Sequence, residues 1–196
     1  MRRIASITTL CAVVALGAGC AAPPSHFYTL SRTTATPIAT SAEISVVVGP
    51  VSIPAIVDVP QIVVSTSPNE VSLDEFNRWA SPLQSNISRV VTENLVTMLG
   101  TPRVSQFQQS LNADADYRVA IEVQSFESVP GEAATLNSAW IVRRTKDGKA
   151  QTGRTSVREP VPEKSYDALA AAHSRALAHM SQDIADAVRA LDRATP

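Results

Sequence analysis

The stretch DYRVAIEVQSFES, Asp116 to Ser128, decides the fold. Tyr117, Val119, Ile121 and Val123 alternate with Arg118, Glu122 and Gln124, the period of two that puts apolar side chains on one face of a strand and polar ones on the other. After a Pro130-Gly131 turn, ATLNSAWIVRR (134–144) alternates again, setting Leu136, Ser138, Trp140 and Val142 against Asn137, Ala139 and Ile141. Asp147-Gly148 is a two-residue hairpin signal that leads into QTGRTSVRE (151–159). Three consecutive strands joined by short turns make an antiparallel meander.

Toward the N-terminus lie further β-rich pieces: ISVVV (44–48), which stops at Gly49-Pro50, QIVVST (61–66) and the weaker EVSL (70–73). They are followed by a helix signal with Ser81 as N-cap, Pro82 at the first helical position and Gln84 completing a capping box. Leu83, Ile87, Val90, Val91, Leu95 and Met98 form its apolar face, and Gly100 with Pro102 ends it. Toward the C-terminus, Ser165 caps a second helix from Tyr166 to about Leu191. Its stripe is Tyr166, Leu169, His173, Leu177, Met180, Ile184, Val188 and Leu191. The pattern predicts an α+β domain over 43–193: a mostly antiparallel sheet with two main helices packed on one face, in the order β-β-β-α-β-β-β-β-α.

Residues 1–19 have the parts of an export signal: basic Arg2 and Arg3, an apolar run from Ile4 to Leu16, and small residues before Cys20. The apolar run is shorter than the ~20 residues a membrane-spanning helix needs. A cysteine directly after such a segment resembles the lipobox of bacterial lipoproteins, in which the cysteine is acylated and becomes the first mature residue. Leu16 stands four residues before Cys20 rather than three, which leaves a second reading: cleavage after Ala18 or Ala22 and a soluble product. Cysteine usage fits the lipid anchor, because the other cysteine, Cys11, lies in the discarded segment and no internal disulfide can form. Residues 20–42 then read as anchor and tether, rich in Ser, Thr, Ala and Pro, with FYTL (27–30) as a short ordered segment.

Loss of Arg2 and Arg3 leaves 15 basic against 18 acidic side chains, so there is no basic excess for nucleic acid. No phosphate-binding glycine loop, G-x-S-x-G, H-E-x-x-H or C-x-x-C occurs. Of the three histidines, His26 lies on the tether, while His173 and His179 fall on different faces of the last helix. His173 reads as a partly buried histidine hydrogen-bonded to the sheet or to a subunit neighbour, and Asp183 and Asp186 near Arg189 and Arg193 as a solvated helix face. No catalytic, metal or cofactor site is expected, and the only added group is a covalent lipid on Cys20.

FYTL soon after the lipobox, VVVGPVSIPAIVDVPQIV (46–63), NRWASPL (77–83), DYRVAIEVQSFE and SYDALAAAHSRALAHMSQDIADAV (165–188) together resemble the ABC-type transport auxiliary lipoproteins, the PqiC or YmbA family. The resemblance implies an outer-membrane lipoprotein facing the periplasm, a destination with which Ala21 and Ala22 after the cysteine agree. It further implies a non-catalytic docking subunit of a mammalian-cell-entry (MCE) type lipid transport system. The partners would be the tunnel protein and its inner-membrane transporter, with phospholipid as cargo. A ring of copies is the simplest match to a tunnel with cyclic symmetry. A structural, envelope-binding lipoprotein without transport is the alternative.

Two groups of residues are candidate partner contacts. Pro50, Pro54 and Pro60 interrupt the strands and put Ile53, Ala55, Ile56 and Val57 on an irregular apolar loop, either exposed or a buried crossover. Arg78 and Trp79 are residue types over-used at interfaces, although Trp79 also suits a core anchor with Arg78 lying over it.

Overall fold

The structure, a computed structural model, describes residues 23–33, 43–107 and 115–194. The export signal, Cys20, Ala21 and Ala22, and tether residues 34–42 lie outside the described residues. The elements are β1 (His26–Tyr28), β2 (Val46–Ser52), a 3-10 turn (Ala55–Val57), β3 (Gln61–Ser67), β4 (Glu70–Trp79), α1 (Leu83–Leu99), β5 (Val104–Gln106), β6 (Tyr117–Val129), β7 (Ala133–Arg144), β8 (Ala150–Pro160) and α2 (Tyr166–Arg193).

The class is α+β, as the pattern predicts, but the strands divide between two mixed sheets. A five-stranded sheet has the order β5-β2-β6-β7-β8, and a three-stranded one the order β1-β4-β3. Within the larger sheet β2 runs parallel to both β5 and β6, and in the smaller β1 runs parallel to β4. Prolines explain the division. Pro54 and Pro60 flank the 3-10 turn and have no N–H to continue a ladder, so the β3–β4 hairpin leaves the plane of β2. The sequence pattern stops this strand at Gly49-Pro50, but β2 continues to Ser52: the pairing with β6 shifts between Val48 and Val51 and then resumes at Val51 opposite Ile121.

In the meander, β6 pairs with β7 from Tyr117 opposite Arg144 to Val129 opposite Ala133, with a bulge between Val123 and Ser125. The extra residue changes which side chains face inward. Before the bulge Tyr117, Val119, Ile121 and Val123 are buried; after it Phe126 and Ser128 are. All of these but Ser128, with Leu136 and Val142 of β7, meet Ile87, Val90, Val91 and Leu95 of α1 and Leu177, Met180 and Ile184 of α2 in one core. Each such large apolar side chain contributes about 1.5–3 kcal/mol on burial.

The second helix starts as predicted, with the Ser165 hydroxyl accepting from Ala168 N at 3.1 Å. The first does not. Pro82 occupies the cap position in an extended conformation without a side-chain cap, and the Gln84 amide donates to Val51 O on β2 rather than back to Ser81. The backbone before it is already committed to the small sheet, since Trp79 N donates to Pro60 O and Ala80 N to Tyr28 O, which keeps Ser81 from capping. Gly100 ends α1 in the left-handed region, φ 66°, as its position suggested.

The ordered segment near the N-terminus is tightly held. β1 lies along β4, and Leu30, only 1% exposed, enters the core. Arg89 of α1 donates to Leu30 O at 2.6 Å, while Ser31 N donates to the Ser174 hydroxyl of α2 at 3.0 Å. The chain toward Cys20 therefore leaves the domain at one fixed place.

Candidate functional site

A groove of about 650 Å³ opens between the 3-10 turn, the β3–β4 hairpin and the end of β6, with Ile56, Val57, Val63, Val71, Phe126 and Val129 among its lining. Its wall is stiffened from behind. Trp79 meets Phe126 edge-on at 6.3 Å, and the His173 ring stacks on the same phenyl at 3.7 Å.

Of the residues singled out from sequence, Ile56 and Val57 both reach this groove. Ile56 is 55% exposed, whereas Val57 is buried in the core at 7%. Ile53 is partly buried against the same core, and Trp79 is buried. Arg78, half-buried, lies elsewhere, opposite Phe27 of β1 and Gln61 of β3.

A second feature escaped the sequence reading. In the three-stranded sheet Phe27 pairs with Arg78, Val63 with Leu73 and Ser65 with Val71, and the β3–β4 register shifts between Gln61 and Ile62. Among the described residues the exposed large apolar side chains are Phe27, Ile56, Val71, Leu73, Phe76 and Phe107. All but Phe107 lie on or beside this small sheet. The signal was present in Val71 and Leu73, two residues apart, but EVSL is too short to say which face would be covered.

The polar groups nearby are structural. Asp74 begins a break in the β4 alternation: its carboxylate accepts from Phe76 N at 2.9 Å, Asn77 N at 3.0 Å and the Tyr166 hydroxyl at 2.8 Å. Desolvation raises its pKa, but these donors outweigh it and hold the carboxyl below its usual range. Burial, and then the bond to Asp74, pushes Tyr166 up to about 12. His173 shares a 2.8 Å hydrogen bond with Ser128 of β6, so of the two partners open to it from sequence the sheet supplies one, and its Nδ1 has no hydrogen-bond partner among the described residues. Complete burial drives its pKa down to about 3. The Ser128 and His173 pair has neither solvent access nor an acid to orient the ring, so it lacks what a nucleophile and base require.

His179 is exposed and, with Arg175, meets Glu159, while Asp186 pairs with Arg189 at 2.7 Å on the solvated face of α2. No group of three His, Cys, Asp or Glu side chains among the described residues could hold a metal.

These features define a two-layer α+β domain with an apolar groove and an exposed apolar accessory sheet. The chain belongs to the family of ABC-type transport auxiliary lipoprotein components, whose model matches residues 28–185. It is thus a lipoprotein and a transport auxiliary component by family, and no helix among its described residues is long and apolar enough to cross a membrane. The fold is similar to that of the protein XCC0632 from Xanthomonas campestris, a DUF330 protein: 21% identity, TM-score 0.67, covering 88% of this chain and 100% of that one. It is also similar to the crystal structure of an uncharacterized protein at 19% identity and TM-score 0.69, covering 85% of this chain and 99% of that one. At these identities the likeness is one of fold. No curated protein matches this chain.

Proposed function

We propose that this chain is an outer-membrane lipoprotein, anchored through a lipid on Cys20 and facing the periplasm, that serves as a non-catalytic docking subunit for an MCE-type lipid transport system. The family match over residues 28–185 carries the reading. Residues 1–19 act as the removed signal peptide, Cys20 as the acylated first residue, and 43–193 as the docking domain. The groove beside Ile56 supports the docking role, since a preformed apolar concavity receives a partner's apolar side chain or an acyl chain without ordering costs of its own. Several copies in a ring would offer that groove repeatedly to a symmetric tunnel protein.

The test is a photo-crosslinking residue in place of Ile56 in living cells. A crosslink to an MCE tunnel protein, absent when the same group replaces Lys149 on the β7–β8 turn, is expected. Adducts only to cell wall or to unrelated outer-membrane proteins would replace docking with an envelope-binding role.

A further inference from the structure

We infer that the groove beside Ile56 receives an extended, basic segment of a partner polypeptide, which adds to the free edge of β6 as a further strand. This deepens the proposed function and rests on its reading of the groove as the docking surface.

The ladder fixes which main-chain groups of β6 face the groove. Val161 N donates to Glu132 O and Arg144 N to Lys149 O, so along β7 the even-numbered residues bond to β8 and the odd-numbered ones to β6. Ala133, Thr135 and Asn137 are paired with Val129, Glu127 and Ser125. The N–H and C=O of Phe126 and Ser128 therefore point away from β7. On the first half of β6 that side meets the β2 chain, as where Tyr117 N donates to Ser45 O at 3.0 Å. β2 ends at Ser52, opposite Glu122, and Pro54 carries the chain off into the 3-10 turn. β3 forms the opposite wall, but it belongs to the other sheet and makes no ladder with β6. The groove thus occupies the place of a missing strand beside Phe126 and Ser128.

This edge is held in shape before anything binds. The Phe126 ring stacks on His173, and the Ser128 hydroxyl is hydrogen-bonded to the same imidazole. An added strand would pair with main-chain groups that lose no freedom of their own.

Charge and hydrogen bonding select the occupant. Glu70, Glu127 and Glu132 line the groove, and no Lys or Arg does. Arg158 matches Glu132, whereas Glu70 and Glu127 have no ion pair among the described residues. Beside Ile56, Val63 and Val71, these carboxylates suit a segment that mixes apolar residues with Lys or Arg. An acyl chain would strip water from the Phe126 and Ser128 amides without replacing its hydrogen bonds, and an anionic headgroup would meet like charge. A second copy has a basic strand in β8, with Arg154 and Arg158, but that strand is paired with β7 and tied to α2 through Thr155 to Asp183 and Glu159 to Arg175.

Crosslink spacing tests the proposal, because a strand advances about 3.3 Å per residue and a helix about 1.5 Å. In cells making the full-length protein, benzoylphenylalanine would replace Gln124 or Val129 in turn, and the adducts would be mapped by mass spectrometry. One partner stretch containing Lys or Arg should be hit at sites about five residues apart. The exposed Glu127 gives a second position should the Val129 variant fold poorly. Glu70→Lys combined with Glu127→Lys, both on exposed side chains, should cut the yield severalfold at an unchanged protein level.

Sites about eleven residues apart would mean a docked helix and overturn the added strand. Adducts of phospholipid mass, adducts to a second copy, or a yield indifferent to the two charge reversals overturn it as well. Partner adducts from Ile56 with none from Gln124 or Val129 overturn it and leave docking at the groove standing. No partner adduct from any of the three positions removes the docking reading, and the inference with it.

Discussion

His173 of α2 and Phe126 of β6 stack ring on ring, with centroids 3.7 Å apart and planes inclined by 9°. The contact exists because the bulge after Val123 turns Phe126 inward, and it places an ionisable group where water cannot follow. The sheet is thereby locked to the helix by an imidazole that must stay neutral.

Stability should therefore fall on mild acidification. The unfolded chain protonates His173 near its ordinary pKa of about 6.5, but the folded imidazole resists to about 3. As pH falls between those values the unfolded state binds the extra proton, and the fold loses up to about 1.4 kcal/mol per pH unit. From pH 7 to pH 5 the urea-unfolding free energy should drop by about 2 kcal/mol through this group. Asp74 and Asp147 are likewise held below their ordinary values, in their case below the usual carboxylate range, so the stability they contribute is lost only at lower pH. His173→Gln should flatten the slope between pH 7 and 5; parallel slopes in the two proteins would remove His173 as its source.

Gly153 is required by the indole of Trp140 on the neighbouring strand. A Cβ built at 153 falls 2.2 Å from Trp140 Cζ2, and the indole is fixed by its Nε1 donating to the Thr155 hydroxyl at 3.1 Å. Gly153→Ala should cost about 1–3 kcal/mol by overpacking and shift the tryptophan emission. Trp140→Phe in the same chain should recover part of the loss, a coupling that a double-mutant cycle measures. Unchanged thermal unfolding in the single variant would mean that the indole can move aside.

Residues far apart in legibility lie close in the fold. The long strands from Tyr117 to Pro160 could be read because alternation survives along each of them, yet the bulge near Gln124 could not, since one extra residue leaves composition unchanged. The β3–β4 hairpin was read only as 61–66 and 70–73. Beyond Leu73 the run Asp74-Glu75-Phe76-Asn77 loses its alternation, because Asp74 bonds to the two following backbone amides instead of holding the pleat. β5 has three residues and gains its identity only by pairing with β2 across the α1 crossover. The candidate site was legible as a proline-broken apolar segment, but Ile56 and Val57 are alike in sequence and differ only in what packs on them.

Leu30 should behave as a core residue despite its place near the tether. Leu30→Ala is expected to lower global stability by about 2–5 kcal/mol. Arg89→Ala, which removes the hydrogen bonds to Leu30 O, Thr29 and Asn86 and the exposed ion pair with Glu93 but leaves the core filled, should cost less and chiefly speed proteolysis of the N-terminal segment. If Leu30→Ala left the unfolding midpoint unchanged, the segment would not be part of the cooperative unit.

If Cys20 carries the proposed lipid, Cys20→Ala should abolish palmitate incorporation and move the protein from the membrane to the soluble fraction without changing its unfolding midpoint, because Cys20 precedes every described element. Retention in the membrane fraction would show that attachment does not depend on that cysteine.

Neighbouring substitutions in the 3-10 turn separate folding from docking. Val57 is 7% exposed and shares the core with Ile62 and Val63, so Val57→Asp buries a carboxylate among apolar side chains and should lower stability by several kcal/mol. Ile56 is 55% exposed at the groove, so Ile56→Asp should leave stability within about 0.5 kcal/mol. If the groove is the docking surface, Ile56→Asp should nonetheless reproduce the permeability defect of a deletion, with the protein still folded and membrane-anchored. Val57→Asp should give that defect only through loss of protein, visible as a lower steady-state level. A folded Ile56→Asp protein that fully restores the envelope barrier would move the partner contact away from the groove, because a charge set into a used apolar concavity is not neutral.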